Sequence, residues 1–311
     1  MNNRYNYLNE YLKQKYGERT LKICIDGGFT CPNRDGKVSH GGCIFCGERG
    51  SGEHLMENSI QKQVYSYINS YRGERANSFI AYFQNFSNTY DTIENLRKRY
   101  DVISSLDLGN KKIKVLDVAT RPDCIDKDIC SLLNSYKNKF DIWVELGLQT
   151  SSDKTASIIN RGYESSIFTK AVKLLNLHNI DVIAHIMIGL PEEGMTELKK
   201  TIDFINSHNI QGLKIHSTYV IKNTVLEKMY NAGQYTPLSL DSYIEQACYV
   251  LTHINPNIII HKISGDAPKD LLVAPSWNSH KKLIMNGINK YLETNDLHQG
   301  QFYISNNSDK F

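Results

Sequence analysis

The sequence predicts an α/β protein: a partial (β/α)6 TIM-like barrel followed by a C-terminal α/β extension. Three observations predict it. Short apolar runs with strand character recur as far as Val220. Helical periodicity fills the intervals between them, the alternation of parallel βαβ units. The runs also end in polar, glycine- or proline-containing segments, and a barrel gathers its chemistry beyond the carboxyl ends of its strands. A doubly wound open sheet satisfies the first two observations as well.

The elements follow in order. A polar and aromatic helix opens the chain over Tyr5–Tyr16. Strands are expected at Leu21–Asp26, Ser78–Gln84, Ile113–Thr120, Asp141–Leu148, Ile180–Ile188 and Gly212–Val220. Helices are expected at Ser59–Tyr71, Asp126–Tyr136, Ser166–Asn176 and Met195–Ser207, the last preceded by Glu192 and Glu193, negative charge suited to a helix N-terminus. Right-handed crossovers curl such an array into a barrel. After Val220 the pattern changes to a helix at Leu240–Ile254, an apolar run at Ile258–Ile263, a helix at Lys281–Leu292 and a polar tail. The expected division is 1–20 as a helical segment, 21–222 as the barrel and 223–311 as the extension.

Composition narrows the class. At 311 residues the chain is just past the size at which one core stops growing, which favours one large domain with an extension. With 41% hydrophobic and 22% charged residues and a mean hydropathy of −0.42, it reads as an ordinary folded protein. A net charge of +3 and a pI near 8.3 permit a nucleic-acid partner without requiring one. No apolar run reaches the roughly 18 residues of a membrane span. The opening Met1-Asn2-Asn3-Arg4-Tyr5-Asn6 lacks a signal-peptide core. A cytoplasmic protein is expected. Seven cysteines, an odd number, point to metal or redox use before disulfides.

Five strand ends carry unusual residues. The first strand feeds a cysteine loop. The second ends in Gln84-Asn85-Phe86-Ser87, the third in Thr120-Arg121-Pro122-Asp123, the fourth in Gln149-Thr150 and the fifth in Gly189-Leu190-Pro191. The loop runs C-P-N-R-D-G-K-V-S-H-G-G-C-I-F-C, placing Cys31, Cys43 and Cys46 at C-x11-C-x2-C. Three thiolates on one flexible loop suit three corners of an iron–sulfur cube and leave the fourth iron open. The same residues admit structural zinc, with His40 or Cys24 as a fourth ligand. Cys24, Cys124, Cys130 and Cys248 are scattered and read mainly as small buried hydrophobes.

On these residues the sequence resembles the radical S-adenosylmethionine (SAM) superfamily. Cys43-Ile44-Phe45-Cys46 keeps the end of its cysteine signature, and the lengthened first interval is similar to that of the elongator catalytic-subunit group. The motifs F-T-C-P-N-R-D-G, Y-F-Q-N-F-S-N-T-Y, T-R-P-D-C, E-L-G-L-Q-T, I-N-R-G, G-L-P-E-E, G-D-A-P and A-P-S-W resemble the bacterial YhcC/YtqA-type group in particular. The resemblance implies a barrel of the radical SAM type, with SAM and a [4Fe–4S] cluster as cofactors. It implies that Cys31, Cys43 and Cys46 hold the cluster and that Phe45 lies beside the adenine. Gln84, Asn85 and Ser87 occupy the place of a Gly-Gly-Glu motif that receives the SAM amino group, without its glycines or carboxylate. Thr120 and Asp123 fall where polar groups approach SAM. Gln149 and Arg161 are spaced as a pair that holds the ribose and carboxylate. Glu145 shares the side of Gln149, His185 takes the place of an acidic residue, and Gly189, Leu190 and Pro191 turn the chain under the adenine.

The resemblance also implies a substrate. The elongator-like relatives act on the wobble uridine of tRNA, so a tRNA whose uridine carries a carbon-5 side chain, such as a carboxymethylaminomethyl group under maturation, is the expected target. An electron donor such as flavodoxin or ferredoxin is the expected partner. Tyr82, Tyr90 and Tyr219 stand where they can stack on bases, and His216, Lys214 and Lys222 lie near the sixth strand's end. The alternatives are a small-molecule substrate and a zinc-stabilised RNA-binding module. Spacing assigns no role to Asp266 or Trp277.

Overall fold

A computed structural model describes residues 4–50, 52, 55 and 58–305. The residues Met1 to Asn3, read above for a leader, lie outside the described residues. The strands are β1 (Thr20–Ile25), β2 (Ser78–Phe83), β3 (Lys112–Thr120), β4 (Asp141–Gln149), β5 (Asp181–Ile188), β6 (Gly212–Ser217), β7 (Val220–Ile221), β8 (Ile259–Lys262) and β9 (Leu272–Ala274). The helices are α1 (Leu8–Tyr16), α2 (Ile60–Ile68), α3 (Ile93–Ser104), α4 (Lys127–Asn134), α5 (Asp153–Ile158), α6 (Ser165–Leu177), α7 (Met195–Asn206), α8 (Val225–Asn231), α9 (Leu240–His253) and α10 (Lys281–Thr294). Ser59, Thr92, Asp126, Ser152 and Ser239 cap helix starts by accepting a backbone N–H three residues on.

Seven strands form one parallel sheet in the order β1-β2-β3-β4-β5-β6-β8. The sheet takes in one more strand than the six of the expected barrel. The apolar run after Val220 supplies it: Gly212 pairs with Ile259 and Leu213 with Ile260. A separate pair, β7 with β9, is antiparallel.

Strand alternation divides the side chains into two cores. Ile23, Phe79, Leu116, Val144, Ala184 and Leu213 point outward and join the large cluster under the helices. Ile80, Val115, Trp143 and Ile183 point inward and join a second cluster with Leu8 and Leu12 of α1. The sheet therefore curls around α1. Two contacts require the curl: Lys214 on β6 reaches the Tyr82 hydroxyl on β2 at 3.2 Å, and Lys22 on β1 reaches Glu145 on β4 at 3.0 Å. The edges are β1 and β8, and the segment before α1 runs along β8, where Ile260 donates its N–H to the Asn6 carbonyl at 2.8 Å. Helix α1 stops at Gly17, which takes the left-handed conformation at φ 74°.

Candidate active site

Above the α1 plug, the barrel interior turns polar. Every strand of the curled sheet supplies a side chain to one buried layer: Lys22, Tyr82, Asp117, Glu145, His185, Lys214 and His261 in chain order. Both Glu145 oxygens are engaged. One accepts from Lys22 at 3.0 Å, the other from Lys214 at 2.5 Å and from His185 Nε2 at 2.9 Å. Lys22 also pairs with Asp117 at 2.6 Å. The Tyr82 ring lies between the two ammonium groups, 4.2 and 4.3 Å from its centroid, each a cation–π contact. Barrel interiors are usually filled by branched apolar residues, so ionised groups here have a strong desolvation cost to offset. Burial pushes the Glu145 carboxyl up, but Lys214 and Lys22 outweigh it and hold the group well below the ordinary range. Burial and the Glu145 charge push Asp117 up to about 7. Burial lowers Lys214 to about 8 against the pull of Glu145, and it lowers His185 and His216 as well.

Tyr82, Glu145 and His185 of this layer floor a cavity whose roof is the cysteine loop. Cys31, Cys43 and Cys46 all line it, with Phe45, Gln84, Ser87, Thr120, Arg121, Gln149 and Arg161 around them. Tyr82, Glu145, His185, Met187, His216 and Tyr219 line the other side, with Asp266 at the edge. Two non-glycine residues on the wall sit in the left-handed region, Phe86 at φ 60° and Gln149 at φ 59°, a strain that functional sites concentrate. Gly147 makes room for the second, since a Cβ there would lie 2.6 Å from Gln149 Nε2.

The segment Ile159-Asn160-Arg161-Gly162 clamps the cysteine loop from below. Ile44 donates its N–H to the Ile159 carbonyl at 3.1 Å. Asn160 Nδ2 donates to the Gly42 carbonyl at 2.7 Å, and the Asn160 carbonyl accepts from Asn33 at 2.6 Å. Arg161 donates to the carbonyls of Leu148 and Thr150 at 2.6 Å each and to that of Tyr163 at 3.0 Å. Its own carbonyl accepts from Arg121 at 2.9 Å. Arg121 holds Asp123 in a two-pronged pair at 2.9 and 2.7 Å, the bidentate geometry that guanidinium favours.

The thiols feel this scaffold. The Cys43 thiol lies below its ordinary value; its hydrogen bond with Cys46 leads, burial opposes, and Arg121 and Asn33 add to the lowering. Burial pushes Cys31 up against the backbone N–H of Asn33 and the charge of Arg121.

The donor set suits zinc poorly. Zinc needs a fourth ligand drawn to the same point. His40 does not line the cavity, and its ring packs over Gly36 on the outer turn of the loop. Cys24 lies on β1 beside the interior apolar cluster. Among the described residues no three His, Cys, Asp or Glu side chains converge on a single ion position. Three thiols lining one cavity, with N–H groups and guanidinium charge behind them, fit a cubane cluster and its open corner.

The sequence matches the radical SAM superfamily over residues 31–205 and the radical SAM C-terminal domain over 210–294. The chain belongs to the radical SAM superfamily. The cofactors of this superfamily are SAM and a [4Fe–4S] cluster. Among radical SAM relatives, the uncharacterised protein YtqA of Bacillus subtilis is 37% identical across 96% of this chain and 93% of its own. Protein YhcC of Escherichia coli is 33% identical across 90% of each. Elongator complex protein 3 of Dictyostelium discoideum is 28% identical across 53% of this chain, a match that covers 30% of that protein. The solved archaeal Elp3 of Methanocaldococcus infernus superposes with a TM-score of 0.68 over 90% of this chain and 64% of that one at 16% identity, a likeness of fold.

Within this radical SAM barrel the expected site residues separate. The three cysteines, Phe45, Gln84, Ser87, Thr120, Glu145, Gln149, Arg161 and His185 share the cavity. Asn85, Asp123, Gly189, Leu190 and Pro191 do not line it. Asn85 donates to Asp26 at 2.9 Å. Asp123 faces a second, outer cavity and serves Arg121. The Gly189 carbonyl accepts from Tyr235 at 2.8 Å, and Leu190 packs in a small cluster with Ile44 and Ile159. Arg161, expected at the SAM carboxylate, spends four N–H contacts on three carbonyls and Asp153. Tyr90, a proposed base stacker, lies in the outer cavity beside Lys37. Trp277 donates to the Leu238 carbonyl at 3.0 Å and packs on Tyr243, an anchor away from the cavity. Asn33, Arg121, Asn160 and Tyr163 escaped the sequence reading as site residues. The motifs that contain Asn33, Arg121 and Asn160 were visible, and their contacts across the barrel were not.

Proposed function

We propose that the chain is a tRNA-modifying radical SAM enzyme in which Cys31, Cys43 and Cys46 hold the [4Fe–4S] cluster, acting on the carbon-5 side chain of a wobble uridine, for example in maturing a carboxymethylaminomethyl group. The observation that carries the reading is one cavity with the three thiols at its roof and a polar, tyrosine- and histidine-lined floor. When bound, the cluster and SAM supply reductive cleavage of SAM and a 5′-deoxyadenosyl radical.

The chain's own residues bind and orient. Phe45 offers a flat wall beside the cysteines. Gln84, Ser87 and Thr120 present amide and hydroxyl groups to the amino and carboxylate ends of SAM, and Gln149 faces the same space. Tyr219 flanks the floor with a π-face suited to an unpaired base, whereas the Tyr82 ring is taken by Lys22 and Lys214. Glu145, with both oxygens spent, positions His185 and Lys214 instead of touching SAM. The barrel wall excludes water around the radical. The tRNA substrate is supported by the kinship with elongator complex protein 3 and by the shared Elp3 fold. A low-potential donor of the flavodoxin or ferredoxin class supplies the electron.

The test is a mass profile of tRNA nucleosides from cells with and without the gene. A modified wobble uridine is expected to disappear while its precursor accumulates. An unchanged profile would remove the tRNA reading and leave a radical SAM enzyme with another substrate.

A further inference from the structure

Asn33 is fully buried two residues after Cys31. Its side-chain amide donates to the Asn160 carbonyl at 2.6 Å and to the sulfur of Cys43 at 3.7 Å. Both partners are acceptors, so the amide must turn its nitrogen toward them; the flipped amide would set oxygen against oxygen. The backbone N–H of the same residue donates to Cys31. One residue therefore addresses two of the three thiols.

The rest of the amide has no comparable use. Its Oδ1 is buried without a hydrogen-bond partner among the described residues. The chain presses on it from the far side, where a Cβ at Gly162 would lie 2.7 Å away, and Gly162 is itself held at φ 80°. A buried oxygen left unpaired carries a desolvation cost that an apolar side chain would not incur. The amide is thus poorly suited to stabilise the fold and well suited to reach a sulfur.

We infer that Asn33 is a positioning residue for the cluster: its side-chain N–H to the Cys43 sulfur raises the cluster's reduction potential and fixes the direction of that ligand. The inference rests on the cysteine assignment proposed above. An N–H aimed at a ligand sulfur draws charge from the Fe–S bond and favours the reduced, more negative cluster. Burial of the Asn33 amide strengthens the effect, because no water competes for its N–H.

The test uses the whole chain, reconstituted without oxygen. Asn33→Leu keeps the branched side-chain skeleton, in a somewhat larger form, and removes both side-chain donors. Iron and sulfide content and an EPR-monitored redox titration are measured for wild type and variant. The expected result is a full cluster in both and a midpoint shifted to more negative potential in the variant. Equal midpoints with full clusters would overturn the inference. A wild type that binds no iron would overturn the cysteine assignment instead. Asn160→Ala removes the loop's tether to Gly42 without touching a sulfur and is expected to keep the wild-type midpoint. A shift there equal to that of Asn33→Leu would make loop looseness the cause and sink the hydrogen-bond account. If Asn33→Leu cannot hold a cluster, wild type labelled with side-chain 15N asparagine decides the matter. Pulsed EPR of its reduced cluster is expected to show a 15N coupling, and the absence of that coupling would overturn the inference.

Discussion

Arg161 has no exposed surface, and its guanidinium reaches three backbone carbonyls. Its worth is therefore structural before it is chemical. Arg161→Met is expected to remove these hydrogen bonds and to cost about 3–5 kcal/mol, the range for breaking a buried charged network, read as a lower urea midpoint of the cluster-free protein. Asp117 gives a pH test. Its folded-state carboxyl is pushed up to about 7 by burial and by Glu145, from an ordinary value of 3.8. The folded chain then holds a proton that the unfolded chain has lost, so stability falls as pH rises from about 4 to about 7. Asp117→Asn cannot titrate, and the stability of wild type relative to this variant is expected to drop between pH 5 and pH 8. A constant difference across that window would contradict the assignment of the shift.

At the scale of elements, α1 takes the place of missing barrel wall and floor. Leu12 is buried against the inward faces of the sheet. Leu12→Ala is expected to cost about 2–5 kcal/mol, the range for a large-to-small core change, measured by denaturant unfolding. A surface-like loss below 0.5 kcal/mol would mean that α1 is not the plug.

The strands were legible because short apolar runs alternate with helical periodicity, and the site's location was legible because five of those runs end in polar or glycine-proline segments. The seventh strand was visible only as the run Ile258–Ile263; its pairing with β6 joins residues separated in the chain by α8 and α9, which no local pattern encodes. The polar layer was legible only in part, since Tyr82, Glu145, His185 and Lys214 stood out singly while Lys22, Asp117 and His261 did not. Lys22 and Asp117 each look like an ordinary polar position in a strand, and only the curl of the sheet makes them neighbours of Glu145 and Lys214. Gln149 and Arg161, paired by their spacing, line one cavity, and the engagement of the Arg161 guanidinium by three carbonyls was not visible in that spacing. The motif around Asn33 stood out by composition alone, while its contact with Cys43 needed the loop's closed conformation.

For the whole molecule, one cavity joins a thiol-lined roof to a charged floor, and the chain around it keeps the two in register. The sheet sets the floor, the Ile159–Gly162 segment sets the roof, and Arg121 ties one to the other through the Arg161 carbonyl. The account stands or falls on what the three cysteines bind. Iron and acid-labile sulfide should be measured after anaerobic reconstitution, in wild type and in Cys43→Ala, together with 5′-deoxyadenosine formed from SAM under reduction. The account predicts about four irons and four sulfides per chain in wild type, and loss of both the brown colour and 5′-deoxyadenosine formation in the variant. Full SAM cleavage by Cys43→Ala, or zinc without iron in wild type, would contradict it.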